Sequence, residues 1–186
     1  NFAFIDAPFN LDFYKPGDSN SEIAYMGCRT RVVADVTAPD NQIVTGRGNL
    51  SFTTVNLVRL GIKYGIALGE RDKADMEGFY NELGEVMDSV RDQLLERFEV
   101  QCNKRCYNFP FLLGQGVWTN GEKLKPTDRL RKVWEHGTLS TGFIGLAECL
   151  KALTGKHHGE SEESQKLGLE IIGFMRNRCN ENCKKY

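Results

Sequence analysis

The sequence predicts a helix-rich α/β chain, and three observations carry that expectation. Met76, Phe79, Leu83, Val86, Met87, Val90, Leu94 and Phe98 recur at helical spacing and form one apolar stripe. Two runs rich in Val, Ile and other strand formers, EIAYMG and RTRVVADV, meet at Gly27-Cys28 as two short strands would. Toward the end of the chain, Glu162 and Glu163 stand early in a polar-apolar pattern, and Arg176, Arg178 and Lys184 stand late. That charge order suits a helix dipole.

In chain order, residues 1–20 read as an irregular start. FAFID is a candidate short strand, and NLDFYKPGDSNS is loop chemistry, with Pro16, Gly17, Asp18, Ser19 and Asn20 clustered. The two strands follow, then a turn at APDN with Pro39 and Asp40 at its centre. NQIV reads as a third strand and GRGN, 46–49, as a glycine loop. A helix is expected to begin at Thr53 or Thr54 and to include 55–67. The long helix takes 73–98, and its other face, with Glu77, Asn81, Glu85, Asp88, Asp92 and Glu96, looks to solvent. NFPFLLGQGVW, 108–118, carries Pro110 and glycine breaks and reads as extended chain or loop. Thr127 is placed to cap a short helix ahead of Asp128, Arg129 and Leu130. Residues 141–153 read as a buried helix ending near Gly155, and 161–182 as the last helix. No internal repeat and no linker divides the chain, so 1–186 is expected to be one partial domain.

The word partial rests on the termini. Asn1 leads straight into an apolar cluster and NCKKY closes without a stop signal, so a piece of a longer protein is expected. The 186 residues, 40% apolar and 26% charged, suffice for an ordinary core. A net charge of −1 excludes a basic footprint for nucleic acid. No apolar run approaches the about 18 residues of a membrane span, and no secretion signal opens the chain. Neither nucleic acid nor membrane is therefore an expected partner. The six cysteines, at 28, 102, 106, 149, 179 and 183, read as reduced thiols of a cytoplasmic protein.

Several residue groups could carry chemistry. Cys102-x3-Cys106 and Cys179-x3-Cys183 place thiols four apart, which on a helix share a face and can chelate zinc. The familiar structural sites use tighter Cys-x2-Cys pairs, and ordinary thiols near helix ends are the plainer reading. His157, His158 and Glu160 lie in LTGKHHGESEE, a loop suited to substrate contact and equally to plain solvation. Cys28 could pair with His136, His157 or His158 as a nucleophile, but no local protease signature surrounds it. In GRGN the glycines let backbone N–H groups approach an anion and Arg47 adds charge, although the loop is neither a Walker loop nor G-x-G-x-x-G. A tight turn explains it as well. Residue types alone leave an enzyme fragment and a helical structural module both open.

Four blocks taken together go further: IAYMGCRTRVVADV, IVTGRGNLSFTTVNLVRLGI, NFPFLLGQGVW and LSTGFIGLAECLKALTGKHHGESEESQKLGLEIIGFMR. In this order they resemble the anaerobic ribonucleoside-triphosphate reductases, the glycyl-radical class of ribonucleotide reductase, over essentially the whole chain. The resemblance implies a fragment of a ten-stranded α/β barrel whose finger loop carries a cysteine at its tip. The MGCR motif makes that cysteine Cys28, the thiyl-radical site. Asn49 matches the family's active-site asparagine; an amide both donates to and accepts from sugar hydroxyls without acting as a strong base. Ser51 is expected to assist by hydrogen bonding. Arg29 and Arg31 are left without a role, as are His157, His158 and Glu160.

The same resemblance implies a ribonucleoside triphosphate substrate, a glycyl radical installed by an iron–sulfur, S-adenosylmethionine-dependent activase, and a homodimer. Formate is the expected reductant, with a thiol system as the other family choice. The family's glycyl-radical segment, its four-cysteine zinc site and its nucleotide-sensing cone have no match here. No metal site is therefore expected in this chain, and the isolated fragment is expected to be inactive. Two alternatives remain. A formate-lyase-type glycyl-radical enzyme shares the barrel but carries two adjacent cysteines, and Cys28 has no cysteine neighbour. A helical zinc-binding interaction module is the non-enzymatic reading.

Overall fold

The computed structural model describes residues 11, 14–18, 21, 25–26, 30–31, 35, 37–38 and 45–186. They form a helix-rich α/β structure whose chain divides into two compact units. One comprises Asn1–Ser51 and Glu96–Leu139, the other Phe52–Leu95 and Ser140–Tyr186.

In the first unit, strands β1 (Tyr25–Met26) and β2 (Thr30–Arg31) pair antiparallel, Tyr25 opposite Arg31 and Met26 opposite Thr30. These pairs fall within the two expected strands. Residues 27–29, with Cys28, lie outside the described residues, as do FAFID, NQIV and the centre of the APDN turn.

The core of this unit is an aromatic wedge. Trp118 and Phe109 both meet Trp134 edge to face, with ring centroids 4.9 and 5.3 Å apart. Leu113, Leu130, Val133, Cys102 and Cys106 fill the space around them. The Trp118 indole N–H donates to Val133 O at 2.8 Å, which satisfies the polar end of a buried ring. Asn108 ends a short 3-10 turn, and residues 109–118 are loop and turn, as expected.

The short helix differs from expectation. It is Arg131–Trp134, and Thr127 does not cap it. Lys125 donates its N–H to the Asp128 carboxylate, while Thr127 O accepts from Arg105. Pro126-Thr127-Asp128 therefore forms a closed turn, with Asp128 N–H also donating to Lys125 O.

Strand β3 (Asn49–Asn56) begins in the first unit and continues into the second. A helix was expected from Thr53 or Thr54, yet Phe52, Thr53, Thr54 and Val55 stay extended, with exposed and covered positions alternating. Aromatic and β-branched side chains favour the pleated surface. Asn56 ends the strand: its side chain accepts the Arg59 N–H at 3.1 Å and caps helix α1 (Leu57–Tyr64).

Strand β4 (Thr138–Ile144) pairs with β3. Thr138 N–H donates to Gly48 O, and further along Gly142 lies against Thr53 and Thr54, so the two strands run parallel. The expected buried helix over 141–153 therefore starts late. Gly145, at φ 77, turns the chain out of the strand, and the helix is Leu146–Thr154. A continuous apolar run does not by itself distinguish a buried strand from a buried helix.

The short helix Arg131–Trp134 of the first unit is α3, and the second unit's core joins α1 with α2 (Met76–Cys102), α4 (Leu146–Thr154) and α5 (Glu162–Lys185). The predicted stripe on α2 is buried at Phe79, Leu83, Met87, Val90 and Leu94. Leu57 and Leu60 of α1, Leu150 and Leu153 of α4, and Ile171 and Met175 of α5 complete it. Helix α5 opens on Ser161, whose hydroxyl accepts the Ser164 N–H at 3.1 Å. Arg178 of α5 ion-pairs with Asp88 of α2, and Phe174 stacks 5.2 Å from Tyr80. Among the described residues, no helix is long and apolar enough to cross a membrane.

Candidate active site

The GRGN loop sits between the described start of the chain and β3, and each of its first three residues is tied down within the first unit. Gly46 has φ 65, and its carbonyl accepts the Thr119 N–H at 2.6 Å. A Cβ there would stand 2.7 Å from Thr119 Oγ1, so only glycine fits. Arg47 Nε donates to His136 O at 2.7 Å, and Gly48 O accepts the Thr138 N–H at 2.9 Å.

Arg47 points inward. Its side chain is 2% exposed and Nε lies 3.6 Å from Asp35 Oδ2. The anion-binding reading of GRGN had Arg47 adding charge for a phosphate. That role is corrected, because the charge is turned into the protein and answered by Asp35. Burial lowers the Arg47 pKa, and the neighbouring carboxylate opposes that shift.

Asp35 is 5% exposed and fully engaged. Oδ1 accepts the Thr37 N–H at 3.0 Å and the Thr37 hydroxyl at 2.7 Å, while His136 Nδ1 donates to Oδ2 at 2.9 Å. His136 Nε2 lies 3.4 Å from the Asn120 amide nitrogen, whose oxygen accepts from Lys123. This set of partners assigns the ring proton to Nδ1. Burial pushes the Asp35 carboxyl up, but the bonds from Thr37 and His136 and the Arg47 charge outweigh it and hold it below its ordinary value.

Asn49 follows directly as the first residue of β3. Its Oδ1 is buried and has no hydrogen-bond donor among the described residues. Ser51, two positions on, shares its face of the strand and accepts from Arg97 at 3.4 Å. Cys28 lies outside the described residues, so the structure brings together Asn49 and Ser51 of the three expected site residues.

Sequence reasoning missed Asp35, Thr37 and Asn120, and considered His136 only as a partner for Cys28. A signal was available in Asp35-x-Thr37 at the end of a valine-rich run, where an acid in a strand-like context requires a buried partner.

Burial holds three of the remaining thiols, Cys102, Cys149 and Cys179, in the protonated form. Cys149 is fully buried, which pushes its pKa up to about 12. Burial also raises Cys102 and Cys179, while Cys183 is exposed. Among the described residues no three His, Cys, Asp or Glu side chains gather as a metal site requires. Glu160 accepts the His157 N–H at 2.8 Å, closing the loop before α5 on itself.

The whole chain, residues 1–186, matches the family model described as anaerobic ribonucleoside-triphosphate reductase. The chain belongs to this family. It is 29% identical over 155 residues to the anaerobic ribonucleoside-triphosphate reductase of Haemophilus influenzae, covering 82% of this chain and 20% of that one. The Salmonella typhimurium protein of the same name is 28% identical over 154 residues, 81% of this chain and 20% of that one. That of phage T4 is 29% identical over 143 residues, covering 76% and 22%. The chain thus spans about a fifth of the length of the curated relatives it matches. These anaerobic reductase matches do not favour the formate-lyase-type enzyme or the zinc-binding module.

Proposed function

We propose that this chain is the substrate-facing segment of an anaerobic ribonucleoside-triphosphate reductase, which converts ribonucleoside triphosphates to deoxyribonucleotides by radical chemistry. Beside the family membership, the observation that carries this reading is the Asn49 amide. A buried acceptor without a donor among the described residues, held at the start of a strand by a pinned loop, suits a ligand that brings hydroxyl groups. Ribose hydroxyls are such donors, and Ser51 on the same face adds a second contact.

Cys28 is the proposed thiyl site, in a finger loop flanked by β1 and β2 within a ten-stranded barrel to which β3 and β4 contribute. The antiparallel pairing of Met26 with Thr30, three residues around Cys28 apart, supports a loop tip there. As a thiyl, Cys28 takes the hydrogen atom from ribose C3′ and becomes S–H. The 2′ hydroxyl then leaves with a proton as water. Formate, the proposed reductant, gives two electrons and a proton and departs as carbon dioxide. The S–H hydrogen returns to C3′ and the thiyl is restored. Sulfur suits this exchange because an S–H bond is close in strength to an activated sugar C–H, whereas an O–H bond is much stronger. The glycyl radical installed by the activase supplies the oxidising equivalent for Cys28.

The test is Cys28→Ala in the anaerobically activated reductase, with the glycyl radical recorded by electron paramagnetic resonance and deoxynucleotide assayed on the same sample. A normal radical signal without product is expected. Product at the wild-type rate would remove Cys28 from the mechanism.

A further inference from the structure

We propose that Asp35 is a positioning residue for Asn49: its carboxylate, held by Thr37 and His136, fixes Arg47 and through it the loop that presents the Asn49 amide. The inference rests on the reading of Asn49 as the residue that contacts the ribose.

The argument starts from how the loop is held. Gly46 and Gly48 are tied by backbone hydrogen bonds to Thr119 and Thr138. The Arg47 side chain anchors GRGN from within, through Nε to His136 O and beside Asp35. A guanidinium that is 2% exposed is costly to bury, and the Asp35 carboxylate 3.6 Å from Nε offsets part of that cost. Removing the Asp35 charge takes a buried anion from beside Arg47 and loosens the segment two residues before Asn49. Hydrogen bonds to a substrate hydroxyl tolerate only a few tenths of an ångström. A displacement of about 1 Å in the loop is enough to lose them.

The geometry of Asp35 suits such a task. Its Oδ1 is fixed by both Thr37 donors and its Oδ2 by the His136 ring, which Asn120 orients from the other side. The carboxylate thus has one orientation, and the Arg47 partner inherits it. An apolar anchor of equal volume would stabilise the loop as well or better, so what the buried charges add over such an anchor is direction. The lowered Asp35 pKa keeps the carboxylate charged throughout the neutral range.

The experiment is a double-mutant cycle read by binding, which needs no radical. The dissociation constant of CTP is measured for the non-activated reductase as wild type, Asp35→Asn, Asn49→Ala and the pair. Each single change is expected to weaken CTP roughly tenfold, and the pair by no more than about twice the Asn49→Ala effect. A merely structural Asp35 gives additive losses, about a hundredfold in the pair, and that overturns the proposal. Wild-type affinity in Asn49→Ala overturns the ribose reading itself, a result distinct from additivity. If Asp35→Asn fails to fold, Thr37→Val runs the same cycle. It removes one hydroxyl at an exposed residue and leaves every charge in place. Non-additivity with Asn49→Ala again supports the proposal, and additivity again overturns it.

Discussion

Asp35 and His136 are 101 positions apart in the chain, and the Asp35 carboxylate accepts a 2.9 Å hydrogen bond from the His136 ring. This contact joins the end of the valine-rich N-terminal run to the turn that starts β4, and Arg47 lies against both residues. Three segments distant in sequence meet at one buried ion pair. Closing such long loops costs entropy that local contacts do not. The cluster therefore forms only when the first unit is folded, and it reports on that unit as a whole.

The acid dependence of that unit follows from the sign of the Asp35 shift. A carboxylate whose pKa is lowered by folding adds stability that is complete above its unfolded value of 3.8. The contribution is lost as pH falls through the lower, folded value. Asp35→Asn should therefore destabilise at neutral pH, and the gap to wild type should narrow as the pH drops below about 4. Hydrogen exchange at the 46–49 amides, followed from pH 7 to pH 3, measures the gap directly. An unchanged gap at pH 3 would mean that the Asp35 charge does not hold the loop.

Two glycines in the second unit predict opposite outcomes for the same substitution. At Gly61, where α1 crosses α4, a Cβ would stand 2.8 Å from Cys149 Cα and from its carbonyl oxygen. Those are backbone atoms and cannot turn aside. Alanine gains about 1 kcal/mol in helix propensity, but overpacking costs about 1–3 kcal/mol, so Gly61→Ala should lower the unfolding midpoint. At Gly173 in α5 nothing lies within 4 Å of the added Cβ. Gly173→Ala should raise the midpoint, by about 0.5–1 kcal/mol of stability. Thermal unfolding of the two variants beside wild type settles both signs.

Thiol reactivity should divide along burial. Cys183 is exposed, whereas Cys149 is fully buried and its pKa is pushed up to about 12. Because the thiolate is the nucleophile, anaerobic alkylation at pH 8 should label Cys183 within minutes and leave Cys149 unlabelled until the protein unfolds. Peptide mass spectrometry reads both sites from one digest. Early labelling of Cys149 would show that α1 and α4 separate in the native state.

Local signals in the sequence located the elements that local forces build. The long helix followed from its stripe, and α5 from its charge order, since both are set by neighbours three and four positions away. The sequence reading starts a helix at Thr53 or Thr54, inside the strand Asn49–Asn56, because Val55, Leu57, Val58 and Leu60 look alike to a periodicity argument. The cap at Asn56 decides where one structure ends and the next begins. Asn49 and Ser51 are candidates by the family motif, but the side chains that hold their loop are not legible in the sequence. Asp35, His136 and Asn120 meet only through tertiary contact, and nothing in their local spacing announces it.

Asn49 should show function and stability pulling apart. Its Oδ1 is buried without a donor among the described residues, so folding strips water from that atom and returns no hydrogen bond. Removing such a group costs little stability and can add some, because the desolvation penalty goes with it. Asn49→Ala should therefore leave the unfolding midpoint unchanged or slightly raised. In the activated reductase the same change should cut kcat/KM for ribonucleoside triphosphate by about tenfold or more, the loss expected when a contact to the reacting sugar disappears. A variant that loses stability in proportion to activity would make Asn49 a structural residue of the β3 turn. A variant that keeps its stability and loses turnover would mark the amide as held in place for a ligand, at a cost in folding that natural proteins accept at functional sites.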